Sequence, residues 1–222
     1  MNVWRRKFNR LLIALPLVIS SLSVRSQNVD ALASKRLATP QDSEGPFYPK
    51  QWSGELDNDL LSFNGKQYAN GTVMNLAGKI YSIDGEPLAG ATVEMWQCDE
   101  TGEYRHPSSG GEAPAQRGFQ GFARIQSASD GSYSFRTLKP VPYNGRPAHV
   151  HFRVLAQGYR DLTTQMYFNG ENKEGNFLLR LYGFLGGFSK ERDRLTASPE
   201  TRAVGGKNEM HAAFDITLNK LA

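Results

Sequence analysis

The sequence predicts an all-β protein whose core is an antiparallel β-sandwich with long loops and little helix. From Thr72 onward, short runs rich in β-branched and aromatic residues follow one another along the chain. Turn-forming pairs separate these runs at Asp84-Gly85, Asp130-Gly131 and Asn169-Gly170. Short strands alternating with such turns are typical of sandwiches. Helical signals are confined to about residues 190–204, so helices should contribute little to the fold.

Length and composition fit one globular domain. The chain has 222 residues, of which 39% are hydrophobic and 11% aromatic, enough to form a full core. Five of its 26 basic residues lie within the first 26 positions, where there is no acidic residue, so the rest has 21 basic against 22 acidic side chains. A domain so close to neutral has no basic field to attract phosphate groups, which argues against a nucleic-acid partner.

The first 26 residues resemble a signal peptide. A basic region ends at Arg10, and an apolar run interrupted by Pro16 follows over residues 11–22. This run is too short to cross a bilayer, which takes about 20 apolar residues. We therefore expect cleavage, no stable membrane anchor and a periplasmic or secreted protein. The Arg5-Arg6 pair fits a twin-arginine signal, but it also fits an ordinary secretory signal.

The remaining chain, residues 27–222, is predicted to be a single domain with an extended N-terminal arm over residues 27–71. Residues 27–45 of this arm are polar and have few periodic apolar positions, so they show no sign of a helix. One short helical turn is predicted within residues 190–204, where Ser198-Pro199-Glu200 provides a cap and a start. The strands that the turn pairs bound are predicted at residues 78–83, 132–138 and 162–168.

Cys98 is the only cysteine, so no disulfide can form within the chain. Stability must therefore come from the core. The residue ends the segment Val93-Glu94-Met95-Trp96-Gln97-Cys98, which predicts a strand. We interpret Cys98 as a buried, small apolar side chain rather than a reactive thiol.

The pattern with the clearest chemical meaning is His149-Val150-His151-Phe152. Side chains alternate across a strand, so His149 and His151 point to the same side, while Val150 and Phe152 point into the opposite layer. Two imidazoles on one rigid face can supply half of a metal site. Such a pair also occurs on ordinary sheet faces, so the pair alone does not establish a metal.

Further metal ligands have to come from other parts of the chain. The remaining histidines, His106 and His211, have no partner at ligand spacing, and a zinc site would need a third histidine, cysteine or carboxylate. Tyr143, across a turn from the histidine pair, and Tyr104, in the loop after the Trp96 strand, are better placed. A phenol has an unperturbed pKa of about 10, so a tyrosine ligand at neutral pH requires a strong Lewis acid such as iron(III).

The segments around these residues form an ordered set of motifs. In chain order they are Thr39-Pro40, Gly45-Pro46-Phe47, Val93-Glu94-Met95-Trp96-Gln97, Gly102-Glu103-Tyr104-Arg105-His106, residues 130–140, Pro142-Tyr143, residues 146–152, residues 164–168 and Ala213-Phe214-Asp215-Ile216. Together they resemble the intradiol ring-cleavage dioxygenases, especially the protocatechuate 3,4-dioxygenase branch, over about residues 39–218. The resemblance implies a β-sandwich enzyme with one iron(III) per chain. Its partners would be dioxygen and a small aromatic diol, opened between the hydroxyl-bearing carbons to a muconate-type diacid.

The same resemblance, carried over position by position, implies a set of iron ligands. Tyr104 and His149 would be equatorial, Tyr143 and His151 axial, and a water-derived hydroxide would complete the site. In this family the catechol displaces the axial tyrosinate and the hydroxide, which then accept the two substrate protons. Tyr143 would therefore be both a metal ligand and a catalytic base.

Two further catalytic residues are implied by the resemblance. Arg146 matches an active-site arginine whose positive charge stabilises electron density on the substrate ring. Gln165 matches a glutamine near the oxygen site. Without the resemblance, Arg146 also fits a surface salt-bridge partner and Gln165 a residue on the surface of a strand.

The sequence departs from the family pattern in two places. Only Asn144 and Gly145 separate Tyr143 from Arg146, whereas the protocatechuate enzymes have a longer loop here that lines the substrate pocket. No helical segment of the kind that catechol 1,2-dioxygenases use for dimerisation precedes residue 39. The identity of the catechol and the oligomeric state therefore stay open.

Two other classes of function fit parts of the sequence. Residues 78–91 also resemble the opening hairpin of transthyretin-like sandwich modules, which bind carbohydrates or surfaces without catalysis, and fold alone does not establish function. A zinc hydrolase could be built on His149 and His151. The full set of two tyrosines and two histidines favours the dioxygenase over both.

Overall fold

The computed structural model of the chain describes residues 34–170 and 189–221. The predicted signal peptide, residues 1–26, lies outside the described residues, as does the start of the predicted arm. Short β-strands dominate the described residues, which also contain two short helices, and this confirms the predicted all-β class. None of the helices described is long and apolar enough to cross a membrane.

The strands and helices are numbered in chain order. The strands are β1 (Ser62–Phe63), β2 (Lys66–Gln67), β3 (Val73–Ser82), β4 (Thr92–Trp96), β5 (Phe122–Gln126), β6 (Ser132–Leu138), β7 (His149–Leu155), β8 (Leu162–Phe168), β9 (Thr196–Ala197), β10 (Glu200–Val204), β11 (Lys207–Ala213) and β12 (Ile216–Leu218). The helices are α1 (Ala113–Gln116) and α2 (Ser189–Asp193). The strands predicted at 132–138 and 162–168 coincide with β6 and β8, and the strand predicted at 78–83 is the second half of the longer β3.

Two five-stranded sheets pack face to face. In the first sheet β3 is central, with β6 along one edge and β11 and β12 along the other, and β10 extends it beyond β11. The second sheet has the order β5-β4-β7-β8-β9. The alternation along β7 directs Val150 and Phe152 into the core between the sheets, where Phe152 lies 6.1 Å from Tyr133 and 5.5 Å from Phe214, measured between ring centroids. This arrangement confirms the predicted sandwich.

The sheets are mostly antiparallel, but within residues 34–170 and 189–221 three strand pairs are parallel. β11 and β12 run parallel to β3, and β9 runs parallel to β8. Parallel neighbours need a long crossover connection. The turn pairs that predicted the antiparallel strands report only on hairpins between neighbours in sequence, and therefore could not show these directions.

The helical turn predicted to start at Ser198-Pro199-Glu200 is wrong. A helix does occur within the predicted region, but it ends at Asp193, and Glu200–Val204 form β10. All five residues of β10 are exposed, so a helix formed by them would have no buried apolar face to pack against the sandwich. Pairing with β11 satisfies their backbone groups instead, and this tertiary pairing outweighs the local capping signal.

The described part of the N-terminal arm lies along the sandwich. Residues 34–58 contain no helix or strand, and β1 and β2 form a small hairpin later in the arm. The backbone N–H of Thr39 donates to Thr217, and that of Asp42 donates to Thr163 on β8. The arm therefore reaches the strand that carries Gln165.

Candidate metal centre and active site

Two histidines at the start of β7 form the rigid part of the site. His149 and His151 are each 1% exposed, and their ring centroids lie 4.8 Å apart. The ring of His151 stacks on Trp96, its neighbour on β4, with a centroid distance of 4.9 Å and an interplanar angle of 10°. This stacking holds the second histidine in one orientation.

A two-residue turn brings Tyr143 back to the histidines. Asn144 and Gly145 both have positive φ angles, 47° and 75°, as a tight type I′ turn requires. The backbone N–H of Arg146 donates to the carbonyl of Tyr143 at 2.8 Å, which closes the turn. As a result the rings of Tyr143 and His149 lie 5.4 Å apart.

Tyr104 comes from the long loop between β4 and β5 and is 1% exposed. Phe47 of the N-terminal arm stacks on its ring at a centroid distance of 4.6 Å. Asp99 stabilises the loop from inside, because its buried carboxylate accepts the backbone N–H groups of Thr101 and Glu103. Tyr104 is therefore fixed between the loop and the arm.

Three of these side chains direct their polar atoms to one point. The hydroxyl oxygens of Tyr104 and Tyr143 lie 3.2 Å apart, and each lies 3.4 Å from Nε2 of His149. Nδ1 of His149 lies 2.7 Å from the carbonyl oxygen of Pro147. A carbonyl can only accept, so Nδ1 carries the proton and the Nε2 lone pair faces the two phenols. The structure thus brings together all four residues predicted as metal ligands, with the His151 ring bordering this triangle.

Burial favours the uncharged forms of His149, His151 and Tyr104. Desolvation lowers the pKa of His149 to about 4 and that of His151 well below its usual range, and the charge of Arg146 lowers both further. Desolvation also raises the pKa of Tyr104 well above its usual range. The imidazoles are thus neutral and able to bind a metal, whereas the Tyr104 phenol would need a nearby cation to ionise at neutral pH.

The donor atoms suit a metal that accepts phenolate oxygen. Metal–ligand bonds of about 2.0–2.2 Å place neighbouring ligand atoms roughly 3 Å apart, close to the 3.2–3.4 Å separations here. Within residues 34–170 and 189–221, no group of three or more His, Cys, Asp or Glu side chains could hold a metal. Among the described residues, a metal at this point would therefore have to use tyrosine oxygens.

Arg146 and Gln165 lie beside the triangle as a hydrogen-bonded pair. The guanidinium of Arg146 donates to Oε1 of Gln165 at 2.7 Å. Gln165 is 0% exposed, so the alternative that it lies on the surface of a strand is wrong. It sits opposite His151 in the pairing of β8 with β7.

Sequence reasoning missed two residues linked to this pair, Tyr167 directly and Asp42 through Tyr167. Gln165 also lies 3.0 Å from the Tyr167 hydroxyl, which in turn lies 2.8 Å from a carboxylate oxygen of Asp42. Strand periodicity could have found Tyr167, because it lies two positions after Gln165 and so on the same face. Asp42 is on the arm, and no local pattern connects it to β8.

Cys98 lies in the buried apolar cluster that also contains Trp96 and Tyr104. It is 0% exposed, and its burial raises the pKa of the thiol to about 12. The prediction of a buried cysteine is confirmed, and its low reactivity stays a prediction.

Comparison with known proteins relates this arrangement to one family. Residues 43–220 match the family described as Dioxygenase. The chain is 30% identical to catechol 1,2-dioxygenase 2 of Acinetobacter lwoffii over 168 residues, which cover 68% of this chain and 58% of that relative. It is 32% identical to the protocatechuate 3,4-dioxygenase beta chain of Burkholderia cepacia over 191 residues, 80% of this chain and 78% of the relative. The chain thus spans little more than half of the catechol dioxygenase.

A solved structure shows the same relationship. The dioxygenase domain of a dioxygenase–carbohydrate-binding protein fusion from Streptomyces sp. SirexAA-E superposes with a TM-score of 0.60 at 25% sequence identity. The superposition covers 83% of this chain and 99% of that domain. With the family match over most of its length, the chain belongs to the intradiol ring-cleavage dioxygenase family.

Proposed function

We propose that this protein is an iron(III)-dependent intradiol dioxygenase that opens a catechol ring between its two hydroxyl-bearing carbons. The product would be a muconate-type diacid containing both atoms of dioxygen. The observation that carries the proposal is the triangle formed by Tyr104, Tyr143 and His149, with oxygen and nitrogen atoms 3.2–3.4 Å apart. It rests also on the family to which the chain belongs.

The proposed ligands are Tyr104, Tyr143, His149 and His151, which would hold one iron ion per chain. Two phenolate oxygens and two imidazole nitrogens suit iron(III), a hard cation that favours anionic oxygen. When bound, the iron would supply Lewis acidity, which would stabilise the two tyrosinates and make the ring of a catechol substrate reactive toward dioxygen.

Tyr143 is the better placed of the two tyrosines to exchange a proton with substrate. Its side chain is half-buried and lies directly before a short turn, whereas Tyr104 is buried beneath Phe47. We assign the phenolate oxygen of Tyr143 as the acceptor of one substrate hydroxyl proton. Tyr104 would stay in place, because Phe47 and the loop hold it on both sides.

Arg146 provides a fixed positive charge next to the site. Its charge lowers the pKa values of both His149 and His151, so its field reaches the site. Guanidinium remains protonated and cannot serve as a metal ligand. We assign it the stabilisation of negative charge that develops on the substrate ring, with Gln165 holding it in place.

The short link between Tyr143 and Arg146 bears on the substrate. Asn144 and Gly145 form the whole turn and are both exposed, so the link adds little bulk over the site. We therefore propose that the enzyme accepts catechols that carry ring substituents. The N-terminal segment further leads us to propose that it acts outside the cytoplasm.

The alternative of a non-enzymatic transthyretin-like binding module is not favoured. Such a module has no need for a buried cluster of two phenols and two imidazoles, and burying uncompensated polar groups costs stability. A zinc hydrolase is disfavoured because, among the described residues, no third nitrogen, sulfur or carboxylate ligand joins His149 and His151.

Metal analysis, a visible spectrum and product analysis of the purified protein test the proposal. We expect about one iron per chain, a reddish colour from tyrosinate-to-iron charge transfer, and a muconate product from a catechol. His149→Ala should lose most of the iron, because the site then lacks one of four protein ligands. The control His211→Ala alters a histidine on β11, in the other sheet, and should keep iron and colour. Colourless protein with stoichiometric zinc, or a semialdehyde product, would contradict the proposal.

A further inference from the structure

We propose that Tyr167 and Asp42 are positioning residues that orient the Arg146 guanidinium through the side-chain amide of Gln165. Neither residue touches the triangle of donor atoms with its polar group. They act through a chain of contacts that leads from the N-terminal arm to the active site. The inference rests on the proposed function, because Arg146 is assigned its electrostatic role there.

The amide of Gln165 can satisfy its neighbours in only one orientation. Nε2 donates to the carbonyl oxygen of Ser43 at 2.5 Å, while Oε1 accepts from Arg146 at 2.7 Å. A flipped amide would place its NH₂ group against the guanidinium, so that donors face each other, and would leave Ser43 facing an oxygen. Because Gln165 is 0% exposed, water cannot relieve that mismatch.

Tyr167 occupies the remaining side of the amide oxygen. Its hydroxyl lies 3.0 Å from Oε1 of Gln165 and 2.8 Å from Oδ2 of Asp42. The two oxygens therefore share the hydrogen bond from one hydroxyl proton. Its ring is held by the Arg192 guanidinium, centred 4.4 Å away. The tyrosine therefore links the carboxylate of the arm to the amide on β8.

Asp42 also fixes the other partner of the amide. Its Oδ1 accepts a hydrogen bond from the backbone N–H of Ser43. The carbonyl oxygen of the same Ser43 accepts the hydrogen bond from Nε2 of Gln165. The arm is anchored next to this point, because Thr164 donates its hydroxyl to the carbonyl of Pro40 at 2.8 Å. Both ends of the Gln165 amide are thus determined by this part of the arm.

This linkage matters because arginine has a long side chain with many rotamers. A charge that must be in place before the transition state contributes most when it is preorganised. Without the Tyr167 hydroxyl, the amide of Gln165 keeps its hydrogen bond to Ser43 but loses the hydrogen bond that its Oε1 accepts from Tyr167. The Arg146 guanidinium, which donates to the same Oε1, is then held less firmly. Binding of catechol to the metal should be little affected, whereas the reaction with dioxygen should slow.

Tyr167→Phe tests the proposal, with Tyr133→Phe as the matched control. Both tyrosines are buried, at 2% and 4% exposure, and each variant loses one hydroxyl, but Tyr133 donates to the carbonyl of Phe214 in the core. Asp42→Ala provides a second, half-exposed position should Tyr167→Phe fold poorly. For Tyr167→Phe and Asp42→Ala we expect kcat to fall roughly 3- to 10-fold, the size of one hydrogen bond, with unchanged iron content, unchanged KM and unchanged anaerobic binding of catechol. Tyr133→Phe should keep wild-type kcat.

Coupling to Arg146 distinguishes positioning from a general structural effect. In an Arg146→Met background, adding Tyr167→Phe should slow turnover less than about twofold further, because the group that it orients is already absent. A full multiplicative loss in the double variant would overturn the proposal. Wild-type kcat in both Tyr167→Phe and Asp42→Ala would do the same.

A measurement on metal-free protein separates this inference from the proposed function. With ¹⁵N-labelled arginine, the guanidinium signals of Arg146, assigned by their loss in Arg146→Met, should be resolved in the wild type and in Tyr133→Phe. They should broaden in Tyr167→Phe as the group gains rotational freedom. Unchanged signals in Tyr167→Phe would overturn the positioning role, whereas a wild-type protein without ring-cleaving activity would overturn the function and leave this result standing.

Discussion

Gly45 on the N-terminal arm provides a sharp test of how closely the site is packed. Its φ angle is +71°, a conformation that an L side chain rarely adopts. A Cβ atom added there would lie 3.2 Å from Cε1 of His151, closer than ordinary van der Waals contact. The ring cannot easily move away, because it stacks on Trp96 at a centroid distance of 4.9 Å. Gly45→Ala should therefore push either the arm or a proposed metal ligand out of place.

Gly90→Ala is the matched control, because Gly90 has a φ angle of +68° and nothing within 4 Å of an added Cβ. Left-handed backbone costs each alanine about 1–2 kcal/mol. For a domain of this size that corresponds to a fall in Tm of roughly 2–8 °C, which both variants should show. Only Gly45→Ala carries the added contact with His151.

The assay compares thermal unfolding, iron content and the visible spectrum of the two variants. Gly45→Ala should lose iron or shift the charge-transfer band, since displacement of a ligand by even about 0.5 Å disturbs a preorganised site. Gly90→Ala should match wild type in both respects despite its lower Tm. Equal Tm losses together with identical iron content and spectra would show that the arm does not constrain His151.

Three further predictions concern Arg146, Cys98 and the N-terminal segment. Replacing Arg146 by Met should leave iron and colour intact but slow turnover roughly 10²–10³-fold, and a wild-type rate in stopped-flow assays would make Arg146 a structural residue. Burial raises the pKa of Cys98 from 9.0 to about 12, so the native thiol should resist thiol reagents. The free energy of unfolding that comes from keeping this thiol protonated is fully present below pH 9.0 and is lost as the pH rises towards 12. In urea melts, the free energy of unfolding of Cys98→Ala should therefore fall less steeply with alkaline pH than that of the wild type. Mass spectrometry of the exported protein should find a mature start between about residues 24 and 34, whereas only full-length cytoplasmic protein in the native host would contradict export.

Local chemistry determined the parts of the site that are close in sequence. Strand periodicity predicted that His149 and His151 share a face, and the structure places them together. The Asn144-Gly145 pair closes the turn that returns Tyr143 to them. Turn pairs likewise marked the boundaries of β6 and β8, because a positive φ or a tight reversal demands particular residues at particular positions.

Contacts between distant segments were decided only by the tertiary structure. Glu200–Val204 carried a local signal for a helix and became a strand, because β11 was available to pair with it. Asp42 reaches Gln165 through Tyr167, across more than 120 positions of the chain. Periodicity and turn chemistry act over a few residues, whereas the pairing of remote strands and the placement of an arm depend on which buried surfaces and hydrogen-bonding groups remain unsatisfied once the sheets have packed.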